Sequence, residues 1–263
     1  MTSNQSSDVE LVSKTGQVTL AFWIGKVLAT TLGETAGDFI SMTLELGYYV
    51  GLGLTFAALV IILSLQVWSK PFHALLFWSA IIATTTVGTE ISDFIDRSLG
   101  LGYMIGSLIL LTGLFLSLGI WYLREHDLRV YPIVRPDVEV LFWLTVLVSN
   151  SLGTAFGDFL TDNLGLSFLQ GAFITAGVIG LVVALHFITR LNDILLFWFA
   201  FIFTRPFGAT FGDFLTKPLD KGGMNLPRGY ASLITLALLV LVLLSSQRRR
   251  SLRLQTARTQ ASE

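Results

Sequence analysis

The sequence predicts an all-α integral membrane protein of eight transmembrane helices, arranged as four parallel two-helix repeats with pseudo-symmetry about the membrane normal. Composition is the first reason. Of 263 residues, 53% are hydrophobic and only 13% are charged, with a mean hydropathy of +0.71, whereas soluble domains contain about 25% charged residues. The second reason is a motif that occurs four times with one spacing: a Trp, a Gly ten residues later, and Asp-Phe five and six residues after that Gly.

The motif places one aspartate, one glycine and one tryptophan at equivalent positions in each copy. The aspartates are Asp38, Asp93, Asp158 and Asp213; the glycines are Gly33, Gly88, Gly153 and Gly208; the tryptophans are Trp23, Trp78, Trp143 and Trp198. Successive copies are offset by 55, 65 and 55 residues. This pattern indicates a two-helix unit that was doubled and then doubled again.

Two helices are predicted in each repeat, the first containing the motif and the second following a short turn, because a spanning helix needs about 20 apolar residues. The first helices are predicted at about 17–43, 72–97, 138–162 and 193–217, and the second helices at about 46–68, 99–123, 165–189 and 228–246. The repeats cover about 17–70, 71–124, 137–190 and 191–246 of a single transmembrane domain at 17–246. A polar tail at 1–16 and a basic tail at 247–263 are predicted to lie in the cytoplasm.

Orientation follows from the basic residues, which are enriched in cytoplasmic segments. The side that holds both termini carries Lys14, Lys70, Arg124, Arg129, Arg135, Arg190, Arg248, Arg249, Arg250, Arg253 and Arg258. The side of the Asp-Phe turns carries Arg97, Lys217, Lys221 and Arg228. Because each repeat crosses the membrane twice, all four enter it in one direction. The four aspartates are therefore predicted at one depth near the outer face. If the four units surround an axis, the aspartates form a ring or two pairs.

Polar side chains mark one face of each first helix, and such a face belongs in the bundle interior or in water. Residues four and eight positions before the Asp share its face. The candidate substrate- or ion-binding residues eight positions before the Asp are Thr30, Thr85, Asn150 and Arg205, and those four positions before it include Glu34. Glu90 adds a second acid to repeat 2. A charge in the membrane needs a partner, so Arg205 is predicted to pair with Glu34, Glu90 or Asp213, as a pair that opens or as a static one.

Three further features have mainly structural interpretations. The small residues around the motif glycines are predicted to let the helices approach closely. Lys26 is predicted to extend to the cytoplasmic surface, and the four motif tryptophans to form an aromatic belt there. For the motif aspartates, an ion site and a helix end that accepts backbone hydrogen bonds both remain open.

Several classes of function are excluded or disfavoured. A net charge of −1 argues against a nucleic-acid partner, and the absence of cysteine excludes disulfides and thiolate metal sites. The sequence contains no nucleophile-elbow, P-loop or HExxH motif. We therefore expect no enzyme activity and no cofactor, with the lipid bilayer as the main partner; the pattern predicts no particular oligomeric state.

The four copies of Trp…Gly…(Gly/Ser)-Asp-Phe, each on a two-helix unit, resemble a bacterial integral membrane protein family. That family is defined by a repeat of unknown function in four tandem copies, and its members are usually labelled uncharacterised membrane-anchored proteins. The resemblance covers about residues 17–246, with Ser92 in place of Gly and a longer turn after Asp213 as departures. It implies a multi-pass protein of the bacterial inner membrane and implies no activity.

The residues predict a small transporter or channel. Carboxylate, hydroxyl and amide oxygens suit hard ions such as Mg²⁺, Mn²⁺, Ca²⁺ or H⁺. The four motif aspartates are the candidate ion or metal ligands, Glu34 and Glu90 would add binding or proton coupling, and Arg205 would act as a gate or counter-charge. The alternative is a non-transporting membrane scaffold, sensor or accessory subunit. A third hypothesis is that Arg205 selects an organic anion.

Overall fold

The computed structural model describes residues 13–69 and 72–260, with side chains up to residue 248. In these residues the chain forms eight long helices and no strand. We number them α1 (Leu20–Asp38), α2 (Gly47–Trp68), α3 (Ala74–Asp93), α4 (Gly102–Glu125), α5 (Pro136–Asp158), α6 (Phe168–Ile188), α7 (Asp193–Thr216) and α8 (Arg228–Gln260). Residues 1–12 of the predicted tail, the predicted basic anchor Lys70 and residues 261–263 lie outside the described residues.

The ends of the first helices differ between repeats. In repeats 1 to 3 the helix continues past the motif aspartate as a five-residue π-helical turn, at Phe39–Thr43, Phe94–Ser98 and Phe159–Asn163. Such turns are rare and are often found at functional sites. In repeat 4 the aspartate lies inside α7, which ends at Thr216. At the other end of the chain, the predicted basic tail is helical to Gln260 as part of α8.

Four helices form an inner ring and four cover it. The inner helices α1, α3, α5 and α7 each pack on the next, and α7 closes the ring by packing on α1. Each outer helix packs mainly on the inner helix of the following repeat: α2 on α3, α4 on α5, α6 on α7, and α8 back on α1. The repeats therefore interlock, because the outer helix of each repeat packs mainly on its neighbour's inner helix.

The connecting turn allows this interlocking because it reverses the chain in a few residues. Gly100 and Gly165 occupy equivalent positions with φ of 68° and 69°, a left-handed conformation that glycine adopts without steric cost. Glu45 takes the equivalent conformation in repeat 1, with φ of 55°. The turn thus uses a left-handed residue at this position in repeats 1 to 3, and Gly100 and Gly165 supply it without strain.

Seven of the eight described helices are long and apolar enough to cross a membrane. The outer helices expose large apolar side chains, for example Leu54, Phe115, Phe173 and Leu241, which are 58%, 66%, 69% and 62% exposed. Helix α1 is not among the seven. It carries Lys26, Glu34 and Asp38, all of them buried, so its polar residues face protein.

An aromatic cluster fills the ring at the end near the N-terminal segment. Trp78, Trp143 and Trp198 are buried in it. The expectation of an exposed aromatic belt is therefore wrong for these three tryptophans. Each follows a phenylalanine in the sequence, and Phe142 contacts Trp143 edge to face at 4.9 Å between ring centroids. Edge-to-face pairs of this kind stabilise a packed cluster beyond the effect of the area that they bury.

The N-terminal segment closes this end of the bundle through Lys14. The backbone N–H of Lys14 donates to Ile133 O at 2.7 Å, and its ammonium lies 2.6 Å from Glu139 Oε2 and donates to Val67 O at 2.6 Å. Gln66 Nε2 donates to the other Glu139 oxygen at 2.8 Å. Both charged side chains are buried. Lys14, counted from the sequence among the basic residues of the cytoplasmic side, is therefore part of an interior ion pair.

We expect Lys14→Met to destabilise the protein by about 3–5 kcal/mol, because it leaves the Glu139 carboxylate buried without its counter-charge. The midpoint of thermal unfolding in detergent measures this loss. The control is Arg129→Met, which breaks an exposed pair with Asp127 and should cost no more than about 1 kcal/mol. Equal midpoints for the two variants would contradict the burial of the Lys14–Glu139 pair.

Candidate functional site

The four motif aspartates converge at the end of the ring opposite the aromatic cluster. All four side chains are buried, although each comes from a different inner helix. They form two pairs, each bridged by one cation; the pairs are Asp38 with Asp213 and Asp93 with Asp158. Of the two arrangements compatible with the sequence, the structure has the paired one.

Lys217 bridges the first pair. Its ammonium lies 3.0 Å from Asp38 Oδ2 and 3.0 Å from Asp213 Oδ1, and Arg228 Nε donates to Asp38 Oδ2 at 3.3 Å. Burial alone would lower the pKa of Lys217, but the carboxylates of Asp213 and Asp38 outweigh burial and raise that pKa. The ammonium is therefore charged at physiological pH and holds the two carboxylates together.

Arg97 bridges the second pair. Its Nε lies 3.3 Å from Asp93 Oδ1 and its terminal nitrogen lies 3.5 Å from Asp158 Oδ2. The guanidinium also donates to the hydroxyl groups of Tyr103 and Tyr48 at 2.9 and 2.8 Å. Arg97 thus ties the turn of repeat 2 to repeat 3 and to the starts of two outer helices.

The two bridging cations occupy one position of the repeat, four residues after the aspartate in repeats 2 and 4. The same position holds Met42 in repeat 1 and Asp162 in repeat 3. Their bridging role was not predicted, because Arg97 and Lys217 stand in the sequence as basic residues of the turns that follow the aspartates. The alternation of cationic and non-cationic copies was the signal in the sequence that predicts the pairing.

A subset of these acids has the geometry of a metal-binding group. One carboxylate oxygen from each of Glu34, Asp38 and Asp213 lies within 4.8 Å of the other two, and all three side chains are buried. Hard cations prefer such oxygen ligands. Asp93 and Asp158, the other candidate metal ligands from the sequence, lie outside this group and are held by Arg97.

Arg205 lies at the centre of the ring and is fully buried. One of its terminal nitrogens donates to Glu34 Oε2 at 2.8 Å, to Thr89 Oγ1 at 2.6 Å and to the Thr154 hydroxyl oxygen. Nε and the other terminal nitrogen have no hydrogen-bond partner. Of the three carboxylates predicted as partners, Glu34 from repeat 1 is the one that pairs with Arg205.

Lys26 also lies in the ring, and the expectation that it extends to the surface is wrong. Its side chain is fully buried, its ammonium donates to Asn150 Oδ1 at 3.0 Å, and it lies 4.0 Å from the centroid of the Phe201 ring. Asn150 Nδ2 donates in turn to Thr84 Oγ1 at 3.2 Å. Asn150, predicted as an ion-path residue, thus binds an interior cation of the protein itself.

The predicted residues Thr30 and Thr85 act at helix contacts. The Thr30 hydroxyl donates to Thr204 O of α7 at 3.1 Å, and the Thr85 hydroxyl donates to Ala29 O of α1 at 3.1 Å. Each hydroxyl group thus has a carbonyl acceptor on a neighbouring helix. Their geometry favours a structural role over ion binding.

The motif glycines face these same positions around the ring. A Cβ at Gly33 would overlap Thr85, and a Cβ at Gly208 would overlap Thr30. In the other two contacts Gly88 faces Asn150 and Gly153 faces Arg205. Each motif glycine therefore faces a side chain of the following repeat, the one eight residues before that repeat's aspartate. The last of these contacts, between repeats 4 and 1, closes the ring.

Glu90 differs from the other acids of the site. It is fully buried, and neither carboxyl oxygen has a hydrogen-bond partner. It lies against Gly51 of α2, where a Cβ would come within 3.1 Å of Glu90 Oε2. The structure therefore pairs Glu34 with Arg205 and holds the four aspartates as two cation-bridged pairs, and it leaves Glu90 without such a partner.

One known family matches most of the chain. Four segments, residues 21–72, 76–127, 141–192 and 196–251, match the model described as Repeat of Unknown Function (DUF347). The match confirms the resemblance to a tandem-repeat family seen in the motif. No curated protein and no solved structure matches the chain.

Proposed function

The chain belongs to the DUF347 repeat family, and from this premise we propose that it is a multi-pass membrane transporter or channel for a small hard cation, such as Mg²⁺, Mn²⁺, Ca²⁺ or H⁺. The observation that carries the proposal is the buried group of Glu34, Asp38 and Asp213, whose oxygens lie within 4.8 Å of one another. Three carboxylates are costly to keep in an apolar bundle unless a cation neutralises them.

In this proposal all eight helices cross the bacterial cytoplasmic membrane, with pseudo-symmetry about the membrane normal. The exposed apolar surfaces of the outer helices support this placement. Helix α1 fits it as well, because its charged residues are covered by α3, α7 and α8. The distribution of basic residues then places both termini in the cytoplasm and the aspartates at the outer face.

The position of the Lys217 ammonium indicates where a cation would bind. Its ammonium lies between Asp38 and Asp213 at 3.0 Å from each, so it occupies the place that a transported cation would take. Its side chain extends from the end of α7 and is 15% exposed, so it can withdraw toward the surface. Exchange of this tethered ammonium for a free cation would keep the charge of the site balanced.

The rest of the ring supports a closed state of a transport route. Arg205, paired with Glu34, fills the centre, and the aromatic cluster fills the end near the N-terminal segment. A cation bound to the outer acids would meet the Arg205 guanidinium next. Passage therefore requires the Arg205–Glu34 pair to open, which is the gate role expected from the sequence.

We expect purified protein in liposomes to take up one of Mg²⁺, Mn²⁺, Ca²⁺, K⁺ or H⁺, and we expect Asp213→Asn to reduce that uptake to the level of empty liposomes. The variant removes one of three ligands and the charge that holds Lys217. The matched control is Asp162→Asn, which neutralises an exposed aspartate in the turn of repeat 3 and should transport normally.

Asp158→Asn extends the test to the second pair. Lost uptake with intact folding supports a transport role for this pair, whereas loss of the folded protein supports the interpretation of the aspartates as structural helix ends. Absence of uptake of every ion by folded wild-type protein would contradict the proposal and favour the alternative, a scaffold, sensor or accessory subunit.

An organic anion is the second candidate substrate. It is favoured by Arg205, whose Nε and one terminal nitrogen have no partner, and by Lys26, whose hydrogen bond goes to a neutral amide. This candidate predicts that Arg205→Ala abolishes anion uptake while Asp213→Asn has a mild effect. The cation proposal predicts the larger loss for Asp213→Asn.

A further inference from the structure

Glu90 lies at the junction of three helices. It projects from α3, three residues before Asp93, and so lies on the same side of that helix, one turn further from the aspartate layer. Gly51 of α2 leaves the space that its carboxyl group fills. The side chain is fully buried, and this position separates it from the hydrogen-bonded network around Arg205.

Glu90 has no counter-charge. Within the part of the chain that the structure describes, it is the one buried carboxyl group in which both oxygens lack a hydrogen bond and an ion pair. The cations of the site are engaged elsewhere: Arg205 with Glu34, Lys217 with Asp38 and Asp213, and Arg97 with Asp93 and Asp158.

The helices packed against Glu90 present acids and neutral groups to it. Helix α1 brings the negative charges of Glu34 and Asp38 near it. Helix α2 contributes Gly51 and contains Tyr48 and Tyr49 as its titratable residues, with no charged residue. Helix α5 meets α3 through the neutral Asn150, opposite Gly88. Glu90 thus lies among neutral groups and charges of its own sign.

We propose that Glu90 carries a proton in this state and releases it when a cation binds the acidic group of Glu34, Asp38 and Asp213, which makes transport an exchange of a cation for a proton. This inference rests on the proposed function and specifies its coupling ion. A buried carboxyl group without a partner is stable only when neutral. A cation bound to Glu34 and Asp38 removes the repulsion that these acids exert on an ionised Glu90.

The coupling is reciprocal. If cation binding favours release of the Glu90 proton, then protonation of Glu90 must weaken cation binding by the same factor. On ionisation, the O–H electron pair stays on the Glu90 carboxylate and the proton leaves to water at the aspartate layer. For a divalent cation, withdrawal of the Lys217 ammonium and release of the Glu90 proton together remove the two positive charges that the cation brings, so the net charge of the site is unchanged across the exchange.

Infrared difference spectroscopy of wild type against Glu90→Gln, at neutral pH, tests the protonation directly. We expect the variant to lose the C=O stretch of one un-ionised carboxylic acid, a band that shifts to lower frequency in D₂O. The matched control is Glu45→Gln, which removes an exposed glutamate. This control should lose carboxylate bands and keep the acid band. Loss of carboxylate bands on Glu90→Gln would overturn the inference.

Flux measurements test the coupling. With liposomes acidic inside, uptake of the transported cation should be stimulated in wild type and in Asp96→Asn, a buried acid of the same helix that lies over Gly106 of α4 instead. Glu90→Gln should show the same uptake with and without the gradient. An acid band in wild type together with unchanged gradient stimulation in Glu90→Gln would overturn the coupling. An acid band in a protein that moves no cation would overturn the proposed function and the coupling with it, and would leave Glu90 a neutral interior acid.

Discussion

Arg205→Leu is expected to lower the stability of the protein by about 3–5 kcal/mol, because removal of one partner leaves a buried charge uncompensated. The charge in question is the Glu34 carboxylate, whose remaining contact at this point is the Thr89 hydroxyl at 3.4 Å. Thr89 and Thr154 also lose the hydrogen bonds that their hydroxyl oxygens accept from the guanidinium. Thermal unfolding in detergent, followed by the fluorescence of the six tryptophans, measures the loss.

The double variant Arg205→Leu/Glu34→Leu should recover most of this stability, since a buried ion pair replaced by apolar residues is often neutral or stabilising. Arg135→Leu is the matched control. Its exposed guanidinium pairs with Glu125 and Asp137, and such surface pairs contribute no more than about 1 kcal/mol. A loss for Arg205→Leu no larger than that of Arg135→Leu would contradict the central buried pair and remove the proposed gate.

The sequence predicted the parts of this architecture that depend on the repeated spacing. Eight helices, their approximate limits and the common depth of the aspartates follow from a motif that recurs with one spacing, because equivalent residues in parallel repeats must lie at one depth. The role of the motif glycines as helix contacts follows for the same reason. The convergence of the aspartates does not follow from that spacing, because it depends on the order in which the helices pack. The family match confirms that the motif defines a real repeat.

The parts that were missed depend on which helix lies beside which. Lys26 lies near a helix start, from which the sequence predicts that it reaches the surface. In the structure it binds Asn150 of another repeat, 124 positions away, in the interior. The Lys14–Glu139 pair likewise joins residues that are distant in the chain. No periodicity within one helix specifies such partners, since they are set by the order in which the repeats pack.

That packing order also explains why the outer helix of a repeat does not cover the inner helix of the same repeat. A short turn between two helices indicates that they are neighbours, yet each outer helix covers the next repeat instead. The glycine series shows why this arrangement is stable: close approach of the inner helices is achieved only where a glycine meets the side chain of the following repeat. The outer helix of each repeat then packs mainly on the inner helix of the following repeat, which ties the repeats together.

Gly208→Ala tests the contact that closes the ring between repeats 4 and 1. A Cβ at this position would overlap the Thr30 side chain and lie 2.8 Å from the Thr30 carbonyl carbon, which belongs to the backbone of α1. The two helices must therefore move apart. We expect a loss of about 1–3 kcal/mol, as for other overpacked contacts, despite the roughly 1 kcal/mol by which alanine favours a helix over glycine.

Gly180→Ala is the matched control, because this glycine lies in α6 with nothing within 4 Å of an added Cβ. That substitution should leave stability unchanged or raise it by about 0.5–1 kcal/mol through the gain in helix propensity. The difference between the two variants isolates the steric term from the propensity term that both share. Equal unfolding midpoints would mean that α7 and α1 do not approach at Gly208, and the Arg205–Glu34 pair, which spans the same two helices, would lose its structural basis.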